Sequence, residues 1–199
     1  MRLPSRSQAQ RQPAWPPEPL VTGSTDGNGR APSAGPSMEA IPAAPASDVA
    51  FDAFYRRSWE VVARGLAATI GDPVLAAEAT DEAMARAYER WATVGGYDFP
   101  TGWVYRVGLN WARSHHRRLA RALPLRREEP AALGPVDDPA VRAALLELPV
   151  KFRSVVVCRL LLDWSVDETA DALHIAPGTV KSRLSRALTV LGTTLGHMR

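Results

Sequence analysis

Hydrophobic residues recur at three- and four-residue spacing along most of the chain after residue 48. The first stretch places its large apolar side chains on one face of a helix, with Ser47 or Asp48 available as an N-cap and Gly71 near its end. The residues of this face are Phe51, Phe54, Tyr55, Trp59, Val62 and Leu66. Similar patterns cover residues 74–92 and about 101–120. The spacing predicts three helices, which together form a first helical domain.

A second set of helical patterns follows after residue 139. It predicts a short helix over 140–147, a strongly apolar helix over about 151–162, and two further helices with a tight join. No run of alternating residues is long enough to predict a strand. We therefore expect an all-α protein with two small helical domains, over residues 48–121 and 140–199.

Two segments lack this periodicity. Residues 1–47 contain nine of the 17 prolines and few hydrophobes, so ordering them would cost chain entropy that no core offsets. We expect a disordered leader there, and Met38, just before the first helical pattern, leaves open a translation start later than Met1. Residues 122–139 combine prolines with mixed charges, which predicts a flexible linker.

The last two helices have the spacing of a helix-turn-helix. Ser165 and Glu168 fit a capping box, in which the hydroxyl and the carboxylate each accept a backbone N–H. About three residues then separate the end of this helix from Pro177, whose fixed φ and missing N–H suit a first helical turn. His174 occupies the turn position where glycine is common, and histidine tolerates positive φ better than most residues. The pattern predicts two helices joined by a tight turn.

The second of these helices is amphipathic. Its apolar residues fall within one arc of about 100° on a helical wheel. They are Val180, Leu184, Ala187, Leu188 and Leu191. The other side carries Lys181, Arg183 and Arg186 among hydroxyl residues, without a carboxylate. Such a face suits DNA phosphates and base edges, but a solvated basic surface would show the same pattern, and spacing alone does not choose between them.

Charge is unevenly distributed, although the formal net charge is only +3. Residues 99–127 hold seven arginines and no acid, whereas residues 72–89 hold five acids and one arginine. The first region suits an anionic partner and the second a basic one. A single cysteine cannot form an internal disulfide, and the sequence shows neither a membrane-spanning apolar run nor a secretory signal. We therefore expect a cytoplasmic protein.

Signs of catalysis or metal binding are weak. His115 and His116 are adjacent, so on a helix they point about 100° apart and cannot form the i, i+4 pair typical of zinc sites. Cys158 lies in an apolar pattern and is expected to be buried. The acids of residues 72–89 have no accompanying phosphate loop or nucleophile motif. We expect neither an enzyme, nor a metal, nor a cofactor.

Motifs in both halves resemble one known family. The segments LPVKFRSVVV (148–157), WSVDETA (164–170) and GTVKSRLSRA (178–187) are similar to region 4 of extracytoplasmic-function (ECF) sigma factors, in the sigma-70 family. The segments GDP (71–73), DEAMARAY (81–88) and GWVYRVGLN (102–110) resemble region 2 of the same family. Together the resemblances cover about residues 51–191.

This resemblance implies a dissociable subunit of bacterial RNA polymerase that directs the core enzyme to promoters. By analogy, region 2 docks on the β′ clamp of the polymerase core and opens the minus-10 element of promoter DNA. Region 4 reads the minus-35 element as duplex and touches the β flap. The resemblance also implies an anti-sigma factor as a partner, and association with the nucleoid when the protein is bound to polymerase.

Three groups of site residues follow from the resemblance. The expected minus-35 contacts are Thr179, Lys181, Ser182, Arg183 and Arg186. The expected minus-10 contacts are Asn110, Arg106, Arg113 and Arg117, with Tyr97 and Phe99 of the preceding loop. The expected core-polymerase contacts are Glu78, Asp81, Glu82 and Met84. For the loop aromatics both base stacking and anchoring to the core remain open, and anchoring is favoured for Phe99.

The sequence departs from the family pattern at a few positions. Asp81 and Met84 stand where the family usually has Gln and Phe, which puts the details of clamp docking in doubt. Ala176 stands where a serine commonly caps the recognition helix. The absence of that serine should weaken the N-terminal cap by about 1 kcal/mol. The alternative function is a helix-turn-helix regulator that binds its operator without polymerase, but the first half lacks the alternating βα pattern of a receiver domain.

Overall fold

The computed structural model describes residues 46–122, 136 and 138–197. Every regular element within these ranges is helical, as predicted. The helices are α1 (Ala46–Ile70), α2 (Pro73–Glu89), α3 (Trp91–Val94), α4 (Pro100–Ala122), α5 (Pro139–Glu147), α6 (Val150–Val156) with a π-helical turn (Val157–Leu161) directly after it, α7 (Val166–Leu173) and α8 (Pro177–His197). Most of the predicted leader and linker lies outside the described residues.

Helices α1, α2 and α4 pack around one core, because each contributes a stripe of apolar or small residues. Val62 and Leu66 of α1 are fully buried, as is Ala79 of α2. On α4, an added Cβ at Gly108 would lie 2.7 Å from Leu66 Cδ1 and 3.0 Å from the carbonyl oxygen of Ala79. The three helices therefore approach one another too closely for a side chain at Gly108.

The turn between α1 and α2 forms where the sequence places Gly-Asp-Pro. Gly71 has φ +86°, a conformation that glycine adopts without strain. The Asp72 carboxylate accepts the backbone N–H groups of Val74 and Leu75, each at 2.9 Å, and Pro73 occupies the first helical turn. Asp72 therefore caps α2, a role that the sequence analysis did not assign to it.

Helix α2 is shorter than the predicted 74–92, since it ends at Glu89. The backbone of Arg90 leaves the helical region, with φ −117° and ψ 21°. This break lets Trp91 pack against Phe54 and Phe51 of α1, with ring centroids 4.9 and 5.2 Å apart. Aromatic packing against a distant helix thus overrides the continuous helical pattern.

The predicted helix-turn-helix is confirmed in its local chemistry. The Ser165 hydroxyl accepts the N–H of Glu168 at 3.1 Å, and the Glu168 carboxylate accepts the N–H of Ser165 at 2.7 Å. His174 ends α7 in the left-handed conformation, with φ 52° and ψ 52°. Helix α8 then begins at Pro177, as expected.

Two clusters of buried residues hold α8 against the other helices of the second predicted domain. Val180 packs with Val155 and Ala170, while Ala187 and Leu191 pack with residues of α5 and α6. One residue of the predicted apolar arc is not buried. The Leu188 side chain is 45% exposed. Leu188 lies at the edge of the arc, where no neighbouring helix among the described residues covers it.

The long helix predicted over 151–162 is also interrupted. Helix α6 ends at Val156 and continues as the π-helical turn, in which the Leu162 N–H donates to the carbonyl of Val157. Asp163 then adopts φ 53°, and the Trp164 N–H donates to the carbonyl of Cys158 at 3.0 Å. The wider turn brings Trp164 into contact with the first half of the protein.

The described residues belong to one compact unit, in which helices of the two predicted domains contact each other directly. Arg153 of α6 donates to the carbonyl of Thr69 in α1 at 2.9 Å. Trp164 packs against Phe99 and Tyr105. The boundaries of the two domains remain predictions from the sequence. No helix in the described ranges is long and apolar enough to cross a membrane.

Candidate nucleic-acid interface

The outer face of α8 presents the predicted cations to solvent. Lys181, Ser182 and Arg186 are exposed, and Thr179 and Arg183 are half-buried. The Ser182 hydroxyl donates to the carbonyl of Thr179 at 3.2 Å, which leaves its lone pairs as acceptors. This face therefore offers positive charge and hydroxyl oxygens along the first three turns of the helix.

The start of α8 is open on the side away from the core. An added Cβ at Gly178 would meet nothing within 4 Å, and Ala176 and Pro177 are exposed. The N–H groups of Thr179 and Val180 both donate to the carbonyl of Ala176, at 2.8 and 3.1 Å. Because Val180 is fully buried behind this turn, the cations project from a rigid support.

Helix α4 carries the second group of predicted DNA contacts. Asn110, Arg113 and Arg117 are exposed, and Arg106 is half-buried. Although Arg113 reaches solvent, desolvation by its neighbours lowers the pKa of its guanidinium; the nearby Tyr105 opposes this shift, and the Arg117 guanidinium adds to it. Arg117 donates to the Ser114 hydroxyl at 3.1 Å. These side chains form a basic face on the side of α4 opposite its buried residues.

The two tryptophans of α4 lie in different settings. Trp103 is only 4% exposed and belongs to the core. Trp111 is half-buried and stacks on His115, with ring centroids 4.9 Å apart and an interplanar angle of 25°. The i, i+4 spacing of this pair is visible in the sequence, but the stacked platform that it forms was not predicted.

The loop before α4 has its two aromatic residues in different settings. Phe99 packs edge-on against Trp164, with centroids 4.9 Å apart, and its ring fills the space where Gly102 lacks a Cβ. Tyr97 is half-buried. Phe99 thus has an anchoring contact in this structure, which is the role favoured for it from the sequence.

Helix α2 presents an acidic surface. Glu78 and Asp81 are exposed, and Glu82 pairs with Arg86 one turn later at 2.9 Å. The Asp81 carboxylate also accepts the indole N–H of Trp59 at 2.7 Å, a contact that ties it to α1. The expected surface contact at Met84 is corrected by the structure, because this side chain is 2% exposed and packs in the core.

Two titratable groups, Cys158 and Tyr105, are fully buried in the core. Cys158 is fully buried, and burial raises the pKa of its thiol to about 12. Burial likewise raises the pKa of Tyr105, whose hydroxyl hydrogen-bonds Thr69 at 2.7 Å. A thiol with such a pKa stays protonated at neutral pH and is a poor nucleophile. Among the described residues, no group of three His, Cys, Asp or Glu side chains is placed to hold a metal ion.

Comparison with known proteins assigns this chain to a family. A family model described as sigma-70, region 4 matches residues 139–191. The chain is 36% identical over 146 residues to the RNA polymerase sigma-E factor of Streptomyces coelicolor, an alignment that covers 69% of this chain and 81% of that protein. This chain belongs to the ECF family of RNA polymerase sigma factors. It is also 34% identical over 158 residues to the ECF RNA polymerase sigma factor SigM of Mycobacterium tuberculosis, covering 75% and 79% of the two chains.

Two solved structures share the fold of this sigma factor. The sigma factor RpoE, in a co-crystal structure with the anti-sigma factor NepR from Bartonella quintana, matches with a TM-score of 0.62 and 19% identity over 75% of this chain and 98% of that one. CnrH, in complex with the cytosolic domain of CnrY, matches with a TM-score of 0.54 and 21% identity over 75% and 90%. At this identity the likeness extends to the fold alone. The family membership does not favour a regulator that acts without polymerase.

Proposed function

We propose that this sigma factor directs core RNA polymerase to its promoters by reading duplex DNA with α8 and holding the opened strand with α4. The observation that carries the proposal is the presence of two basic faces in different settings: hydroxyl groups lie among the cations of α8, whereas α4 also carries a stacked aromatic pair. Polymerase core and promoter DNA are the partners, and the protein acts without a cofactor and without catalysing a reaction itself.

The minus-35 assignment for α8 rests on exposure and charge. Lys181 and Arg186 lie on an exposed face that carries no carboxylate, and the support behind them is a buried core. Arginine can bind a guanine edge through two hydrogen bonds in the major groove, whereas lysine and hydroxyl groups hold phosphates and fix the register. We assign Arg186 and Ser182 to base edges, and Lys181 and Arg183 to phosphates, with Thr179 at the helix start.

The minus-10 assignment for α4 rests on cations and aromatic rings carried by one helix. Separated strands expose both phosphates and base faces, so a protein that binds them combines positive charge with stacking platforms. Asn110 can pair with a base edge, and the Trp111 and His115 stack offers a platform elsewhere on the same helix. Arg106, Arg113 and Arg117 supply charge along the same helix, and Tyr97 supplies a further ring from the loop.

Contacts with the polymerase core are assigned to the acidic surface of α2. Glu78, Asp81 and Glu82 form a surface that suits a basic region such as the β′ clamp. The β flap is proposed to contact the half that carries α8, and an anti-sigma factor is the proposed regulator. The proposed location is the cytoplasm, at the nucleoid when the protein is bound to polymerase.

Run-off transcription with core polymerase on a library of genomic promoters tests this function. We expect promoter-specific transcripts with the wild-type protein. Arg186→Ala should reduce the use of the minus-35 element while leaving binding to core polymerase intact. Arg57→Ala, which removes the same charge from the exposed side of α1, is the matched control and should transcribe normally.

Three results would contradict all or part of the proposal. Absence of promoter-specific transcripts would overturn the assignment as a whole. Tight, sequence-specific binding of the free protein to a duplex operator, with no effect of added core polymerase, would favour the regulator instead. Loss of core binding in Arg186→Ala would mean that this face of α8 meets polymerase rather than DNA.

A further inference from the structure

Aromatic side chains form an exposed cluster at the start of α1. The centroid of the Phe51 ring lies 5.0 Å from that of Tyr88, 5.2 Å from that of Trp91 and 6.2 Å from that of Tyr55. Tyr88 is 51% exposed and Tyr55 is 38% exposed, while Phe51 and Trp91 are half-buried. These four residues are called the aromatic cluster below. A group of exposed rings in contact with one another is typical of a binding surface.

Carboxylates border the aromatic cluster. The Tyr88 hydroxyl donates to the Asp48 carboxylate at 3.3 Å, and the next residue of α2, Glu89, is exposed. Asp52 is also exposed, and it pairs with Arg56 at 2.9 Å. Aromatic rings with carboxylates beside them suit an apolar segment that also carries positive charge.

The sequence before α1 contains a segment with this chemistry. Residues 13–19 read PAWPPEP and are called the proline segment here; Pro13, Pro16 and Pro19 recur in it at every third position. A polyproline II helix has three residues per turn, so this spacing places the three prolines on one edge of such a helix. Residues 1–17 carry three arginines and no acid. The segment thus offers an apolar edge for the rings and positive charge for the carboxylates.

The length of the chain between the two sites allows them to meet. Asp48, at the border of the aromatic cluster, follows Ala46, where α1 begins, by only two residues. About 26 residues, many of them Gly, Ser and Ala, separate Pro19 from Ala46, and a chain of this length and composition spans roughly 25–30 Å on average. Such a tether gives an effective concentration in the millimolar range. A contact that would be weak between separate molecules is therefore favoured within one chain.

We propose that the proline segment docks on the aromatic cluster of the same molecule. Its three spaced prolines pack against the exposed faces of Tyr55 and Tyr88, because the edge of a polyproline II helix fits a surface lined by aromatic rings. The arginines that precede the segment lie toward Asp48 and Glu89, where opposite charge favours this orientation.

Docking also places the proline segment beside the proposed polymerase surface. Asp81 and Tyr88 are seven residues apart on α2 and so share one face of this helix. Both contact α1, Asp81 through the indole N–H of Trp59 and Tyr88 through the ring of Phe51. The proline segment and core polymerase therefore compete for neighbouring parts of α2. This competition rests on the proposed function, whereas the docking itself concerns the free protein.

Hydroxyl-radical footprinting of the full-length protein tests the docking, because the oxidation rate of a side chain follows its exposure to solvent. The docking variant replaces the three spaced prolines with Pro13→Ala, Pro16→Ala and Pro19→Ala. The matched control replaces three other prolines that precede α1, with Pro4→Ala, Pro32→Ala and Pro36→Ala. Because all six substitutions precede α1, they leave the packed helices unchanged.

We expect Tyr55 and Tyr88 to oxidise slowly in wild type and in the matched control, and faster in the docking variant. If the segment is docked in about 90% of molecules, its release raises these rates about tenfold. Leu160, which is 59% exposed on the π-helical turn, should oxidise at the same rate in all three proteins. Equal rates at both tyrosines in wild type and in the docking variant would overturn the docking.

A reciprocal test changes the aromatic cluster and measures the proline segment. Tyr88→Ala removes the most exposed ring, and Val74→Ala is the control at a side chain of α2 that is 66% exposed. We expect Trp15, within the segment, to oxidise faster in Tyr88→Ala but not in Val74→Ala. Protection of Trp15 that rises with protein concentration would place the segment on a second molecule and overturn docking within one chain.

Binding to core polymerase tests the competition. With the same docked fraction, the docking variant should bind core polymerase about tenfold more tightly than the matched control. Equal affinities, together with the expected footprints, would overturn the competition. Failure of the proposed function has a different signature, because it removes promoter-specific transcripts in every variant without changing the footprints of the free protein.

Discussion

The two basic helices, α4 and α8, differ in what surrounds their cations. On α8, Lys181 and Arg186 project from an exposed face among hydroxyl groups. On α4, Arg106 is half-buried, and the same helix also carries a stacked tryptophan and histidine. Under the proposed function, similar local charge serves two kinds of recognition, because the neighbouring side chains decide whether a groove or an unstacked base fits.

The largest effect is expected from a charge placed in the core that supports α8. Val180→Asp places a charge at a fully buried position, so we expect loss of about 4 kcal/mol in the free energy of unfolding and loss of minus-35 use. Chemical denaturation followed by circular dichroism measures the first effect. Ser182→Asp is the control on the exposed face, and it should weaken duplex binding without lowering stability; equal stability in the two variants would contradict the assigned burial.

A second test distinguishes α8 from α4 by the kind of DNA that each is proposed to contact. Arg186→Ala should cost about 1–3 kcal/mol in binding to minus-35 duplex, the range for a bidentate base contact. Asn110→Ala should instead reduce binding to single-stranded minus-10 oligonucleotides by the holoenzyme. Filter binding with promoters altered in one element at a time measures both effects, and equal sensitivity of the two variants to both elements would remove the proposed division.

A smaller loss of stability is expected when the capping box that starts α7 is removed. Ser165→Ala removes the acceptor for the Glu168 N–H and should lower the free energy of unfolding by about 1 kcal/mol. Thermal unfolding measures this change. Ser182→Ala, on the outer face of α8, should leave the melting temperature nearly unchanged, and a larger loss there than at Ser165 would contradict the capping geometry.

The smallest effect on stability is expected from a substitution at Asp171, where α7 faces the loop before α4. Burial raises the pKa of Asp171, and the carboxylates of Asp167 and Asp98 raise it further, whereas His174 lowers it. Since this carboxyl is harder to ionise in the folded protein, its contribution to stability is present in acid and is lost as the pH rises through the folded pKa. Asp171→Asn should therefore raise the melting temperature slightly at neutral pH, but not in acid below the unfolded pKa.

The control for this prediction is Asp163→Asn, which removes the same charge at an exposed position that keeps its left-handed backbone with asparagine. A melting temperature that responds equally to both substitutions would mean that overall charge, rather than the local setting of Asp171, is responsible.

Local patterns were sufficient for much of this fold. The capping box at Ser165, the left-handed turn at His174 and the start of α8 at Pro177 depend on residues close in sequence, and each was predicted. Burial of Cys158 also followed from its apolar surroundings. The exposed cations of α8 were predictable because a helical wheel needs only spacing.

Other features depend on partners far along the chain. Helix α2 ends early because Trp91 packs on α1, and the π-helical turn directs Trp164 toward residues some 60 positions earlier. The hydrogen bond between Trp59 and Asp81 and the burial of Met84 likewise depend on how α1 meets α2. Helical periodicity does not reveal such pairings, because one apolar face can pack against several alternatives.

The sequence by itself determined an all-α chain, the caps that begin its last helices, a basic face on α8 and a family resemblance in both halves. These depend on short spacings, for which side-chain direction follows directly from the helical repeat. Only the tertiary structure decided that the two halves contact each other through Arg153 and Trp164. That contact joins residues as far apart as Thr69 and Arg153, so only the folded chain brings its chemistry together.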